Sequence, residues 1–509
     1  MPVRYSDKYM NNVRNKNKKT MEYIDKLNNI KYIYQKDFSE GTYRITKPGK
    51  YKLYENITFY PNPENKFKPR KNQLHKYPQG PYILGFFSVI TIESSNVELD
   101  LNSHKIEVSE EFNQNQRFAS IIECGNSPFI KNQGPANFGE FNQAPSNIII
   151  RNGEIGLSPH HGIRANNNNG LTIKNINFYN FEVAAISLHG CKNVLIDKVN
   201  INGTNRNVHS LSKYSQALFI MPFLERIVDK DKYFKFKNKY AGEYYNELLD
   251  EIENFQNYIF NKGSYRGIFK NEIKIPDGNS YGILLHTKGV AVGDMIEERS
   301  EDSEGNENIT IKNTRIKNII SQSIEIIGIK NTSKKNMEPS YTGKLYTGPV
   351  GDVFTLDDNM NEKKIYTGNL LSNIQLLIAK RKHEFSDEKY GTTSIPFELV
   401  KWAENKSSLN FIRDIYFEEG NDSMGHVMKG NHGILISCGK NITFDNVLID
   451  NVRNFCKNNK ADMSKLSCGI CFTGSKDIYS KNLRIHNIGS TYGKSFNILK
   501  KNINTNINV

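Results

Sequence analysis

Apolar and polar residues alternate in three short segments of the chain that follow one another at a fixed spacing. The segments begin at Asn147, Gly170 and Asn193, so each starts 23 residues after the one before (170 − 147 = 193 − 170 = 23). Inside each segment the apolar side chains recur at every second position, as Leu171 and Ile173 do. Alternation with a period of two predicts a strand with one buried face. Because such strands are too short to be stable alone, we expect successive units to stack.

Each unit carries a second alternating segment upstream of the first. Residues 162–166 lie 23 residues before residues 185–189 and share their pattern of apolar positions. A third short alternation, such as Ile176 and Phe178, closes the unit. Three short parallel strands in each unit, with no helix between them, describe one coil of a β-solenoid that rises by about 4.8 Å, the ordinary strand spacing.

The same pattern returns after two interruptions of the repeat. The later coils are residues 281–286 with 308–316, residues 433–437 with 441–449, and residues 469–473 with 477–485. Asparagine recurs at the first corner of four coils, at Asn147, Asn193, Asn308 and Asn441. Since asparagine tolerates left-handed backbone and can bond a stacked neighbour, we interpret these asparagines as structural.

A family resemblance rests on the segments SSNVELDLNSHKIE (94–107) and GTYRITKPGKYKLYENITF (41–59). The first resembles the opening coil of right-handed parallel β-helix proteins of the pectate-lyase-like superfamily, and the second resembles the lead-in that often precedes it. The resemblance spans roughly residues 41–202, 280–330 and 430–490. It implies an all-β right-handed parallel β-helix with about 23 residues in each coil. The abundance of lysine, asparagine and isoleucine is similar to that of proteins encoded by large DNA viruses.

The interruptions of the repeat predict seven segments. These are an N-terminal arm with a capping helix (1–40), the first part of the β-helix (41–202), a helical insertion (203–280), more β-helix (281–330), a second insertion (331–430), C-terminal coils (431–493) and a tail (494–509). We expect the capping helix over residues 17–35 and further helices over 370–382 and from Pro396. The first insertion has an apolar stripe at helical spacing, which we expect to pack on the solenoid; it consists of Tyr245, Leu248, Ile252, Phe255 and Ile259.

Charge, hydropathy and cysteine content restrict the partners, the location and the metal or cofactor sites that we expect. The formal net charge is +14, but the positive residues are spread along the chain, so a nucleic-acid partner is the least favoured. No apolar run is long enough to span a bilayer and no secretory signal is apparent, which predicts the cytoplasm of the producing cell or a virus particle. Cys468 and Cys471 form a C-x-x-C, but a strand places residues three apart on opposite faces. We therefore predict neither a cysteine pair nor a metal site, and no cofactor.

Candidate chemistry follows from stacking the coils. Residues at equivalent outward positions form columns, which in the upstream strands are Arg164, Ser187, Leu284, Leu435 and Cys471, and beside them Asn166, His189, His286, Ser437 and Thr473. Histidines also stand at equivalent coil corners. We predict a glycan-binding strip composed of His161, Arg164, His189, His286 and His432.

The resemblance implies two classes of function. Enzymes of this superfamily cleave polysaccharides by β-elimination, which needs a base and a cation, or by hydrolysis, which needs two facing carboxyl groups. We see no repeated pair of outward carboxylates, so a non-catalytic structural or attachment protein, virion-associated and glycan-binding, is the first hypothesis. The alternative is a carbohydrate-active enzyme, more readily a lyase than a hydrolase, with His189, Arg164 and His286 as the catalytic candidates. Other virion proteins and a homotrimer are further expected partners.

Overall fold

The computed structural model describes part of the chain. The described residues are 30–65, 67, 70, 72–73, 86–114, 118–126, 144–181, 183–203, 212–261, 266–267, 280–286, 305–322, 330–332, 340–342, 345–346, 353–356, 362–364, 370, 373–374, 377–378, 431–456, 468–473, 475–492 and 495–497.

Two large sheets, here called sheet A and sheet B, contain most of the described strands, and within each the strands pair in chain order. Sheet A has Ile30–Ile33, Gly49–Leu53, Ile57–Phe59, Val97–Asp100, Lys105–Val108, Ser146–Ile155, Asn169–Tyr179, Lys192–Asn202, Glu307–Gln322, Lys440–Cys456, Lys476–Tyr492 and Ser495–Asn497. Sheet B has Tyr43–Ile45, Phe86–Ile92, Phe118–Cys124, His161–Asn166, Ala184–His189, Ser280–His286, Asn431–Ser437 and Cys468–Thr473.

Few helices accompany the sheets. The described ones are the α-helices Glu110–Gln114, Ser212–Asp231 and Ala241–Asn261 and the 3-10 helices Gln35–Phe38 and Pro63–Asn65. Short strands outside the two sheets are Lys235–Phe236, Lys239–Tyr240, Lys330–Thr332, Ser340–Thr342, Leu345–Tyr346, Val353–Leu356 and Glu362–Lys364. In the part of the chain described, no helix combines the length and the apolar character that a bilayer span requires.

The pairing register agrees with the sequence repeat. Leu171 pairs in parallel with Ile148 on one side and with Val194 on the other. In sheet B, Ile163 pairs in the same way with Ile186. All five side chains belong to one continuous apolar core. The protein is thus mostly β, with long parallel sheets, and this is consistent with the parallel β-helix expected from the sequence.

The corners of sheet A are formed by residues with left-handed backbone. In the strand Glu307–Gln322 they are Asn308, Asn313 and Asn318, with φ of 58°, 48° and 57°. The predicted second and third strands of a coil are therefore one strand that bends at a corner. The corner amides also bond along the stack: Nδ2 of Asn441 donates to Oδ1 of Asn308 at 3.1 Å, and Nδ2 of Asn308 donates to Oδ1 of Asn193 at 3.3 Å.

Two sequence expectations need correction. The predicted capping helix over 17–35 lies outside the described residues up to 29, and Ile30–Ile33 is instead a strand that pairs with Gly49–Leu53. Its β-branched and aromatic residues favour that conformation. The apolar stripe of Ala241–Asn261 packs against Ser212–Asp231 and the helical residues near Leu370, in a cluster separate from the main core. The side chain of Ile259 and the helix expected from Pro396 lie outside the described residues.

The corner ladder gives a first prediction, for Asn308→Ala and its matched control Asn308→Gly. Both variants lose the two side-chain hydrogen bonds, each worth about 1 kcal/mol. Alanine additionally adopts left-handed backbone at a cost of about 1–2 kcal/mol, which glycine avoids. Urea unfolding should therefore rank wild type above the glycine variant and the glycine variant above the alanine variant, with about 1 kcal/mol or more between the two variants. Equal stability of the two variants would contradict the left-handed corner.

Candidate functional site

The outward side chains of sheet B form three columns, because each strand pairs in register with the next. The first column has Ser120, His161, Ala184, Tyr281, His432 and Cys468. The second column has Glu123, Arg164, Ser187, Leu284, Leu435 and Cys471. In the third, Asn166 pairs with His189 and His189 with His286. The backbone of Ser437 pairs with that of Thr473, whose side chain lies outside the described residues.

Two consecutive residues between the first two columns face the core, and this explains why residues three apart share the outer face. After His432, both Gly433 and Ile434 face the core, so the outward direction is regained only at Leu435. A Cβ on Gly433 would lie 2.5 Å from the carbonyl oxygen of Gly469 and 2.5 Å from Cγ2 of Ile449. The close approach of backbone and core therefore demands glycine here.

The structure places all five residues of the predicted strip on sheet B, and each is 7% exposed or less. Arg164 pairs across the strand with Ser187, and the Oγ of Ser187 lies 2.9 Å from Nε2 of His189. The rings of His189 and His286 stack at 5.7 Å between centroids and 5° between planes. These residues and His161 occupy neighbouring strands, so they form one buried polar patch.

His432 stands apart from that patch. It lies in the first column, two strands beyond Ala184, which is the register partner of His161. Its ring packs against Tyr281 with 5.8 Å between the centroids. The side chain is 0% exposed, and neither ring nitrogen has a hydrogen-bond partner among the described residues. Leu284, Leu435 and Cys471 give this end of the face an apolar character.

Glu123 is a site residue that sequence reasoning missed. It pairs in register with Arg164, and its Oε1 lies 3.5 Å from Nη1 of the guanidinium. Complete burial raises the pKa of Glu123 from 4.5 to about 7, although Arg164 and a hydrogen bond with Ser120 act in the opposite direction. A usable signal existed, because SIIEC (120–124) aligns with HGIRA (161–165). The interval of 41 residues (164 − 123) hid it, since the repeat is 23.

A second carboxylate lies on the same face, nearer the N-terminus. Glu93 follows the strand Phe86–Ile92 and is bound by both Nε and Nη2 of Arg44, at 2.7 and 2.8 Å. Thr91, the register partner of Glu123, also donates its hydroxyl to Glu93 at 2.7 Å. Each of these two carboxyl groups therefore lies against an arginine side chain.

Burial keeps the imidazole of His161 neutral. The pKa of His161 lies well below 6.5, first because of desolvation and then because of the nearby His160, Arg164 and His189. Asn306 fixes the strand ends beside the patch: its Nδ2 donates to the carbonyl oxygens of Leu188 (3.0 Å) and His286 (2.8 Å). The patch therefore offers a guanidinium, neutral imidazole and a carboxyl group able to exchange a proton near neutral pH. Among the described residues no set of three histidine, cysteine, aspartate or glutamate side chains is placed to hold a metal ion.

Comparisons with known proteins give little beyond this geometry. No family model matches the chain, and no curated protein matches it. Two solved structures of the Streptococcus pneumoniae surface adhesin PfbA align with it at 12% identity. One covers 80% of this chain and 89% of the adhesin with a TM-score of 0.14, and the other covers 85% and 92% with a TM-score of 0.17. At TM-scores this low the alignments carry no argument about function.

The raised pKa of Glu123 predicts a pH effect on stability. Between pH 4.5 and about 7 the folded protein holds a proton that the unfolded chain has lost. The contribution of Glu123 to the free energy of unfolding is therefore fully present below pH 4.5 and is lost as pH rises toward 7. Against Glu123→Gln, which does not titrate, wild type should lose about 3 kcal/mol of unfolding free energy over this range.

Two comparisons make that test specific. Using the difference between wild type and variant removes the opposing titration of neutral buried histidines such as His161. Replacing Arg164 by glutamine removes the charge that lowers the pKa of Glu123, so the midpoint of the pH effect should move upward. A difference between wild type and Glu123→Gln that stays constant from pH 4 to about 8 would show that folding does not raise the pKa of Glu123.

The glycine column gives another prediction. Gly433→Ala should destabilise the protein by about 1–3 kcal/mol or more, because the added methyl group overlaps backbone and core atoms. Gly242→Ala is the control, since the nearest atom to its Cβ is 3.4 Å away and it lies in the helix Ala241–Asn261. Thermal unfolding should show a clear loss for the first variant and almost none for the second. Equal losses would mean that Gly433 does not face the core.

Proposed function

We propose that this chain is a right-handed parallel β-helix of about 23 residues per coil that acts as a non-catalytic structural or attachment protein with a glycan as partner. The two large, mainly parallel sheets, in which most strands pair in chain order, support the stiff column that such a role needs. Bonded asparagine corners add to that stiffness. Association with a virus particle belongs to the same proposal and depends on composition alone.

The observation that carries the non-catalytic assignment is the arrangement of the carboxyl groups at the buried polar patch. Arg164, His189 and His286 are each covered by protein, at 7%, 6% and 4% exposure. The two carboxylates of this face, Glu93 and Glu123, are each held by an arginine. Hydrolysis needs two free carboxyl groups that face one sugar linkage. Carboxyl groups that are each held beside an arginine suit a structural role better than a hydrolytic pair.

One observation favours the alternative, a carbohydrate-active enzyme. Glu123 has a pKa of about 7 beside the guanidinium of Arg164. A group that titrates near neutral pH is suited to general acid–base work, and a guanidinium can neutralise the carboxylate of a uronate. A lyase would then use Glu123 or His189 as base and Arg164 as the cation, with His286 supporting His189 by ring stacking. Either function requires the cover over the patch to open for the glycan.

The test uses the whole chain against a panel of acidic and neutral polysaccharides. Binding to immobilised glycans and the absorbance of unsaturated uronate products are measured together. The proposal predicts saturable binding without product, weakened at least about tenfold by Arg164→Gln. The matched control is Arg151→Gln, which removes an arginine that pairs with Glu98 on sheet A and should leave binding unchanged. Light scattering should give the mass of three 58.4 kDa chains.

Two results would overturn the proposal. Product formation that Glu123→Gln and Arg164→Gln abolish and Arg151→Gln preserves would make the protein a lyase. Absence of both binding and product across the panel would remove the glycan as partner. A monomer at every concentration would argue against a trimeric attachment protein.

A further inference from the structure

The last strand of sheet B, Cys468–Thr473, brings two cysteines to one face. Gly469 and Ile470 both turn toward the core, and a Cβ on Gly469 would lie 2.4 Å from Cγ2 of Ile485. Cys468 and Cys471 consequently both point outward, in the first and second columns. The sequence expectation that a strand separates them was wrong, because it assumed regular alternation through the glycine.

The two thiols contact each other. Cys471 donates its S–H to the sulfur of Cys468, and this hydrogen bond, followed by burial, keeps the pKa of Cys471 far above its ordinary value. Cys471 is 5% exposed and packs among Leu284, Leu435 and Tyr281. Cys468 is half-buried and so meets solvent. One sulfur is therefore accessible and accepts a hydrogen bond, and the other is protected and holds its proton.

This asymmetry is what thiol–disulfide exchange requires. The reactive species is a thiolate, and a hydrogen bond donated to a sulfur favours its ionised form. Exchange then needs a second thiol close enough to resolve the mixed disulfide. A disulfide requires the two side chains to lie together, and the inward turn of Gly469 and Ile470 places both thiols on one face, in contact. Cys124 and Cys191 differ in that both are buried in the main core, at 1% and 0% exposure, so neither sulfur meets solvent.

We propose that Cys468 and Cys471 form a redox-active dithiol that exchanges with small-molecule disulfides such as oxidised glutathione. Cys468 loses its proton to solvent and attacks one sulfur of the disulfide, whose S–S bond breaks to release one glutathione thiolate. Cys471 then loses its proton and attacks the Cys468 sulfur, displacing the second glutathione. The cysteine pair is oxidised by two electrons, the glutathione disulfide is reduced to two thiols, and the two protons end on those thiols.

The experiment incubates the full-length chain with oxidised glutathione, blocks remaining thiols and maps the modified peptides by mass spectrometry. The expected product is a Cys468–Cys471 disulfide, with Cys124 and Cys191 still reduced as internal controls. In Cys471→Ser the mixed disulfide with glutathione should accumulate on Cys468. In Cys468→Ser, modification of Cys471 should fall at least about tenfold, because the remaining thiol is buried.

The native chain alone already decides the proposal, whether or not the variants fold. Absence of a 468–471 disulfide, or pairing of either residue with Cys438 or Cys456 instead, would overturn it. Glutathione found equally on Cys124 would show that exchange follows unfolding and not the contact between the two thiols. Failure of Cys471→Ser to trap glutathione on Cys468, in a variant with native circular dichroism, would overturn the assigned order of attack.

Discussion

Left-handed backbone at stacked corners is the constraint on which the structure depends. A parallel strand can continue into the next coil only if the chain turns at the same positions in every unit. Asn308, Asn441 and Asn193 satisfy this in one column, because asparagine tolerates positive φ and its amide bonds to the asparagine one coil away. The same side chain thus makes the turn and fixes the register. These corners therefore also align the outward columns of side chains, including the columns of sheet B.

Sheet B adds a second constraint, which shapes the outward face. Where Gly433 and Gly469 approach core side chains, two consecutive residues face inward. The residues on either side then share the outer face, and this brings Cys468 and Cys471 together. The polar end of the same face has charges in pairs and a desolvated glutamate, Glu123, beside Arg164. Packing of the core therefore decides which side chains meet outside it.

Much of the fold was accessible from the sequence. Alternation and the 23-residue spacing predicted the parallel pairs, such as Leu171 with Val194, because period and register follow directly from a buried apolar row. The strip histidines His189 and His286 were placed in adjacent strands for the same reason.

The alternation of apolar and polar residues does not show where that alternation is interrupted. Because Gly469 and Ile470 both face the core, Cys468 and Cys471 lie on one face and not on opposite faces. Glu123 was missed because 41 residues separate it from its register partner Arg164, whereas the repeat is 23. Burial of the strip was also not predictable, since no local pattern shows what lies over a face.

The most direct test of the stacked arrangement joins two positions that only stacking makes neighbours. Asn177 and Asn200 are register partners whose side chains are hydrogen-bonded at 3.0 Å. The double variant Asn177→Cys/Asn200→Cys should form an intramolecular disulfide on mild oxidation, identified by peptide mapping. The control Asn177→Cys/Arg315→Cys places the cysteines two strands apart, because Arg315 pairs with Asn200, and should not. A disulfide in the control but not in the first pair would contradict the stacking of these coils.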